Sequence, residues 1–212
     1  MTTVLLTGFE PFGGDAANPS GEAVHLVASA WEGPDTLVTA VLPVAFERAS
    51  ERLRALIAEH SPDIVIATGL AGGRAAVTPE RIAVNLIDAR IPDNAGAQPI
   101  DVPCVDGSPP AYFSSIPVKA IVAAMTDAGI PATLSHTAGT YVCNHVSFVA
   151  LDEAARRPGL RAGFIHVPWA TGQAPADEPE LPLADIATAL TIAVRTSLAT
   201  PTDAATPAGT LH

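Results

Sequence analysis

Short runs of β-branched and apolar residues alternate with longer stretches of helical periodicity along this chain, and few architectures accept that order. Val4–Thr7, Thr36–Val41 and Ala162–Val167 read as strands. Ile64–Thr68, apolar throughout and ending at Gly69, reads as a buried parallel strand. Asn18, Pro19 and Ser20 open the first helix, because asparagine can cap and proline suits the first helical position. Val24, Val27, Ala28 and Trp31 then recur on one face of it. A second helix spans Ala45–His60, with Phe46, Ala49, Leu53, Leu56 and Ile57 as its buried stripe. Three more helices are predicted over Val118–Gly129, Cys143–Arg157 and Leu183–Leu198, the first of them stopped by Gly129 and Pro131. Ile82–Leu86 and Ala132–His136 complete the predicted strands. Strand–helix alternation of this kind implies an α/β sandwich with a mainly parallel sheet.

The 212 residues suit one domain, and 48% hydrophobic residues can fill a sizeable core. Eleven basic residues against twenty-two acidic ones give a net charge of -11, which repels nucleic acid and anionic membrane. No stretch approaches the ~20 apolar residues that a bilayer requires. Met1–Gly8 lacks the basic region of an export signal. With only Cys104 and Cys143 as thiols, these features imply a reducing, cytoplasmic setting in which both stay free for chemistry. The stretch 71–116 is rich in Gly, Pro and Asp, and a long irregular segment within a compact domain is usually functional.

Chemistry gathers at the carboxyl ends of strands in such sheets. Cys143 follows the Leu134–His136 region and opens a helix, where unpaired N–H groups and the helix dipole favour a thiolate and can hold an oxyanion. His166 ends a strand and is placed to accept the thiol proton. Glu80, just before Arg81–Asn85, can orient that imidazole. Cysteine is also among the most buried residue types, and Cys104, with no helix start beside it, reads as structural. His145 is two residues from Cys143 and faces elsewhere on a helix, while His136 stays a rival to His166. His25 and His60 read as solvent-side. No His/Cys spacing suggests a metal site.

The segment from Thr7 to Gly14 is glycine-rich, but neither GxGxxG nor the Lys-Ser/Thr of a phosphate loop is present. Its Phe9 and Phe12, three apart, are either lids on the core or walls for a flat apolar ring.

Taken in order, these segments resemble the pyroglutamyl peptidase I family, the pyrrolidone carboxyl peptidases. The stretches that carry the resemblance are Thr7–Gly14 with Asn18–Ser20, Leu42–Val44, Gly69–Arg74, Glu80–Asn85, Asp88–Asn94, Gly139–Asn144 and His166–Pro168. It spans residues 1–198 and leaves 199–212 as a flexible C-terminal tail. The resemblance implies one α/β/α domain and a homotetramer, and chemistry of this kind requires no cofactor or metal. It implies a cysteine omega-peptidase that hydrolyses the N-terminal pyroglutamyl residue of peptides through a thioester, with Cys143, His166 and Glu80 as its triad. Arg90 is implied to hold the reacting carbonyl, although an ion pair with Asp88 or Asp93 would also account for it. Phe9, Phe12, Asn18 and Leu70 fall in the lactam pocket, with backbone contacts from Tyr141 and Val142.

Overall fold

A computed structural model describes residues 1–209. The chain runs β1 (Thr3–Phe9), α1 (Pro19–Ala30), β2 (Thr36–Leu42), α2 (Phe46–His60), β3 (Ile64–Leu70), β4 (Thr78–Glu80), β5 (Ile82–Val84), β6 (Ala111–Phe113) and α3 (Val118–Asp127). It continues through α4 (Val142–Arg156), β7 (Arg161–Val167), β8 (Trp169–Ala170), β9 (Glu180–Leu181) and α5 (Leu183–Ala199). The central sheet has the order β2-β1-β3-β7-β4. Its first four strands are parallel, and β4 pairs antiparallel with β7. The mainly parallel, mixed sheet predicted from the alternation is therefore present. Val4, Leu6, Ile64, Ile66, Ile165 and Val167 pack beneath α1, α3 and α5. The alternate side chains, Leu5, Val65, Ala67 and Phe164 among them, pack beneath α2 and α4. Strand periodicity thus divides the core into two layers, one on each face.

Glycine sets the spacing between β1 and α1. A Cβ on Gly8 would lie 2.4 Å from the Ser20 carbonyl oxygen, and one on Gly21 would lie 2.5 Å from that of Phe9. Asn18 caps α1 by accepting from the Ser20 N–H, and Ser20 Oγ accepts from the Phe9 N–H at 3.0 Å. The helix start is already occupied by its own chain, so the glycine-rich turn serves close packing.

Two expectations need correction. Ala132–His136 forms no continuous strand: it makes isolated bridges from Ala132 to Val77, just before β4, and from Ser135 to Glu80 at its end. Thr133 and Ser135 donate to the Val77 and Pro79 carbonyls, and Val77 and Arg81 donate to the Pro131 and Ser135 carbonyls. The rung between these belongs to Pro79, which has no N–H, so the ladder breaks there. The stretch 71–116, read as irregular apart from one strand, also supplies β4 to the central sheet and β6 to a two-stranded antiparallel sheet with β5. The segment after α5 lacks regular structure but has partners. The Asp203 carboxylate accepts from the Lys119 and Ala120 N–H groups at the start of α3, whose own N-cap, Pro117, offers no side-chain bond. Residues 210–212 of the expected tail lie outside the described residues.

Between α2 and α4 lies His145, 5% exposed, edge-on to Phe46, and with neither ring nitrogen hydrogen-bonded. Loss of water, reinforced by Arg54, pushes its imidazole down to about 4. In the unfolded chain it titrates at ~6.5. As pH falls between those values the unfolded state takes a proton that the native state refuses, so stability declines. The full cost is on the order of 3 kcal/mol. His145→Leu is expected to flatten the fall of Tm between pH 6.5 and 4, as read from melting curves across that range.

Candidate active site

Gly69 and His166 are direct partners in the parallel ladder of β3 and β7, so their side-chain directions share the α2/α4 face. A Cβ on Gly69 would stand 2.8 Å from Cys143 Sγ and 3.0 Å from Phe164 Cζ. Cys143 therefore rests over the hydrogen of Gly69, on the same face of the sheet as His166. Gly69→Ala has to displace that sulfur, and a misplacement on the order of 1 Å costs ~10²-fold in rate. A fall of kcat by about that factor is the expected outcome, accompanied by a lower Tm because the methyl also presses on buried Phe164 and Phe9.

The imidazole is fixed from behind. His166 Nδ1 lies 2.7 Å from Glu80 Oε1, and both residues are buried. Glu80 reaches this position from the end of β4, which pairs antiparallel with β7 at Phe164. The same oxygen accepts from Arg74 Nη1 at 2.7 Å, while Arg74 Nη2 donates to the Thr137 carbonyl at 3.1 Å. Burial by itself would raise the Glu80 carboxyl. The hydrogen bond and charge of His166, with Ser135 and Arg74 adding to them, hold it below its usual range. Burial lowers His166 more than Glu80 raises it, and Arg74 lowers it further. The site thus favours an ionised Glu80 and a neutral His166 whose Nδ1–H is committed, leaving Nε2 as an acceptor.

The thiol departs from expectation. Cys143 occupies the first turn of α4, and the N-cap residue Tyr141 makes no side-chain cap, so the first-turn N–H groups are not taken up by one. Nevertheless its pKa is raised to about 12, first by loss of water and then by Glu80, against an opposing effect of Arg74. Desolvation beside a carboxylate thus works against the thiolate that the helix start favours.

A cavity of about 430 Å³ opens over the sulfur. Phe9, Phe12, Asn18, Leu70, Tyr141 and Val142 all line it, as do Arg90 and Cys143. Among the described residues Arg90 forms an ion pair with neither Asp88 nor Asp93. Asp93 instead accepts from the Phe46, Ala95 and Ala97 N–H groups. Tyr141 contributes its ring as well as its backbone: it packs 5.5 Å from Phe12 and edge-on to Phe46, and its hydroxyl donates to the Pro92 carbonyl. The Asn18 carbonyl accepts twice from Ser20 and its Nδ2 donates to the Glu10 carbonyl, leaving one amide N–H uncommitted by these bonds. Asn144, next to the sulfur, exchanges hydrogen bonds with Val84 and donates to the Leu86 carbonyl, pinning the start of α4 to β5.

His136 is exposed and outside this constellation. Cys104 contacts the Val84 carbonyl and Asn144, away from the cavity lining. Sequence reasoning missed Arg74, although it closes the stretch Gly69–Arg74; its reach across to Glu80 becomes visible only once β4 joins the sheet. Trp169, Gly72, Asp15 and Val44 also line the cavity and were not anticipated. No group of three His, Cys, Asp or Glu side chains able to hold a metal occurs among the described residues. Nor is any helix among them long and apolar enough to cross a membrane.

A sequence model of the pyroglutamyl peptidase family matches residues 2–200. A pyrrolidone-carboxylate peptidase of Clavibacter michiganensis is 52% identical over 212 residues, covering all of both chains. One from Streptomyces coelicolor is 49% identical and covers 96% of this chain and 95% of its own. The crystal structure of pyroglutamyl peptidase I from Bacillus amyloliquefaciens superposes with a TM-score of 0.94 at 46% identity, covering 97% of this chain and 99% of that one. Pyrrolidone carboxyl peptidase from Thermococcus litoralis gives 0.90 at 43% identity, covering 94% of each chain.

Proposed function

Since the chain belongs to the pyroglutamyl peptidase family, and is thereby a pyroglutamyl-peptidase I that removes N-terminal pyroglutamate, we propose that it does so through a thioester on Cys143. The observation that carries this mechanism is the convergence of Cys143, His166 and Glu80 on one face of the sheet, beneath an aromatic-walled cavity.

The reaction starts from two neutral partners. Nε2 of His166 takes the thiol proton as the sulfur attacks the carbonyl that joins pyroglutamate to the next residue. Glu80 then stabilises the imidazolium so formed and keeps its Nδ1–H in place. Negative charge on the carbonyl oxygen meets the uncapped first-turn N–H groups of α4 and the Arg90 guanidinium. When the C–N bond breaks, His166 returns its proton to the leaving amine, and water activated by the same imidazole hydrolyses the thioester.

The ring of pyroglutamate is flat and uncharged, with one N–H and one C=O. Its faces suit Phe9, Phe12 and Tyr141, and its polar edges suit a few placed groups such as the uncommitted Asn18 N–H. Leu70 and Val142 complete the apolar enclosure. Proline lacks the ring carbonyl and would leave a buried donor unpaired.

Residues 1–198 form the working unit on this reading. A cytoplasmic location keeps the free thiol reduced. Exposed Ile91, Ile100, Val102 and Phe113 offer apolar surface for the homotetramer implied by resemblance. The test is hydrolysis of pyroglutamyl, prolyl and glutaminyl amides, with and without prior thiol alkylation. The expected result is turnover of the pyroglutamyl amide alone, abolished by alkylation. Equal turnover of the prolyl amide, or full activity after complete alkylation of Cys143, overturns the proposal.

A further inference from the structure

A single carboxylate oxygen organises one side of the cavity mouth. Glu178 Oε2 accepts from the Trp169 indole Nε1 at 2.7 Å and from the Gly73 backbone N–H at 2.9 Å. A Cβ on Gly72 would lie 3.0 Å from that oxygen and 3.1 Å from the indole nitrogen, so this turn is packed against both. Trp169 is 7% exposed, and both it and Gly72 line the cavity. Glu178 thus ties the segment between β8 and β9 to the turn after β3, with the indole held between them. None of these residues takes part in the steps described above.

Strand order determines which part of a substrate this wall meets. In β2-β1-β3-β7-β4, Phe9 ends β1, Leu70 ends β3 and His166 lies near the end of β7. Phe9, Phe12 and Asn18 lie on the β1 side of the sulfur, and the proposed lactam pocket is there. His166 lies on the β7 side and has to deliver a proton to the departing amine. The scissile bond therefore points from the β1 side toward β7. The leaving residue, attached to that amine, extends past His166 toward the segment that continues from β7. Trp169 comes three residues after His166 on this segment, anchored by Glu178.

We propose that Glu178 is a positioning residue which holds Trp169 and the Gly72–Gly73 turn as the wall that receives the residue after pyroglutamate. This rests on the function proposed above. The indole lines the cavity with its N–H already satisfied by Glu178, so the side chains it favours are apolar or aromatic. A leaving group with no side chain makes no use of it.

Two substrates separate this proposal from its foundation. Pyroglutamyl amide releases only ammonia and reports on the lactam pocket and the triad. Pyroglutamyl-leucine adds the side chain in question. In Glu178→Ala the ratio of kcat/KM for pyroglutamyl-leucine to that for pyroglutamyl amide is expected to fall about tenfold, the size of one well-packed apolar contact. Glu178→Gln keeps an acceptor oxygen and should restore the ratio toward that of the unaltered enzyme. Trp169→Phe keeps a ring but removes the anchoring N–H, and it should lower the same ratio even if Glu178→Ala fails to fold. A purely structural role would depress both substrates alike; that result, or an unchanged ratio in both variants, overturns the proposal. Failure of the unaltered enzyme to cleave pyroglutamyl amide would instead overturn the underlying function.

Discussion

Cys143→Ala is expected to lower kcat/KM for a pyroglutamyl amide by at least about 10⁴-fold while leaving the fold intact. Removal of a nucleophile from a pre-built triad typically costs between ~10⁴ and 10⁶, because binding and oxyanion stabilisation alone give little turnover. No second thiol can substitute. Cys104 sits with its sulfur toward the Val84 carbonyl, and burial raises its pKa to about 12. Quenching the unaltered enzyme with acid during turnover should trap a pyroglutamyl adduct on the peptide that contains Cys143, and the variant should carry none. Retention of more than about a hundredth of the normal rate, or an adduct elsewhere, would remove Cys143 from its assigned role. Alkylation followed by peptide mapping gives the same answer without a variant.

Glu80→Gln should cost about 10³- to 10⁴-fold in kcat, as loss of the orienting carboxylate does in other triads. Its pH profile is more diagnostic than its rate. The hydrogen bond and charge of Glu80 raise the pKa of His166, opposing the larger effect of burial. Without that carboxylate the imidazole becomes a weaker base. The acid limb of kcat/KM, which reports protonation of the free enzyme's base, should then move to lower pH even as the plateau drops. A role for Glu80 confined to supporting the fold would lower stability without moving that limb. Arg74 loses a buried anionic partner in the same variant, so a modest fall in Tm is expected alongside.

Most of the framework was legible because β1, β2, β3, β7 and the long helices each have a periodicity that matches their final burial. The juxtaposition of Cys143 and His166 was legible for a similar reason: strand ends and helix starts are where this architecture concentrates reactive groups, and these two residues stand at such positions. The features that escaped were decided by contacts distant in sequence. Pro79 hid β4, because a proline in a three-residue strand carries no local strand signal; its place depends on pairing with β7. The Ala132–His136 stretch had strand-like composition but lost its central rung to that same proline. Arg74 and Glu178 act by reaching across to other segments, and single-chain periodicity says nothing of such reach. The helix start that favours a Cys143 thiolate is a local feature, while the desolvation and the Glu80 charge that oppose it come from the assembled fold and were not legible.

The position of β7 has a bearing on how the molecule is made. This strand lies between β3 and β4, yet it comes after both by a long stretch of chain. Until it has left the ribosome, Ile64–Leu70 presents an open apolar edge, and an unpaired edge of that kind invites pairing with other chains. The nascent polypeptide therefore carries this unpaired apolar edge from the emergence of β3 until that of β7, an interval in which aggregation competes with folding. Insertion of this late strand both seals the edge and delivers His166 to Glu80.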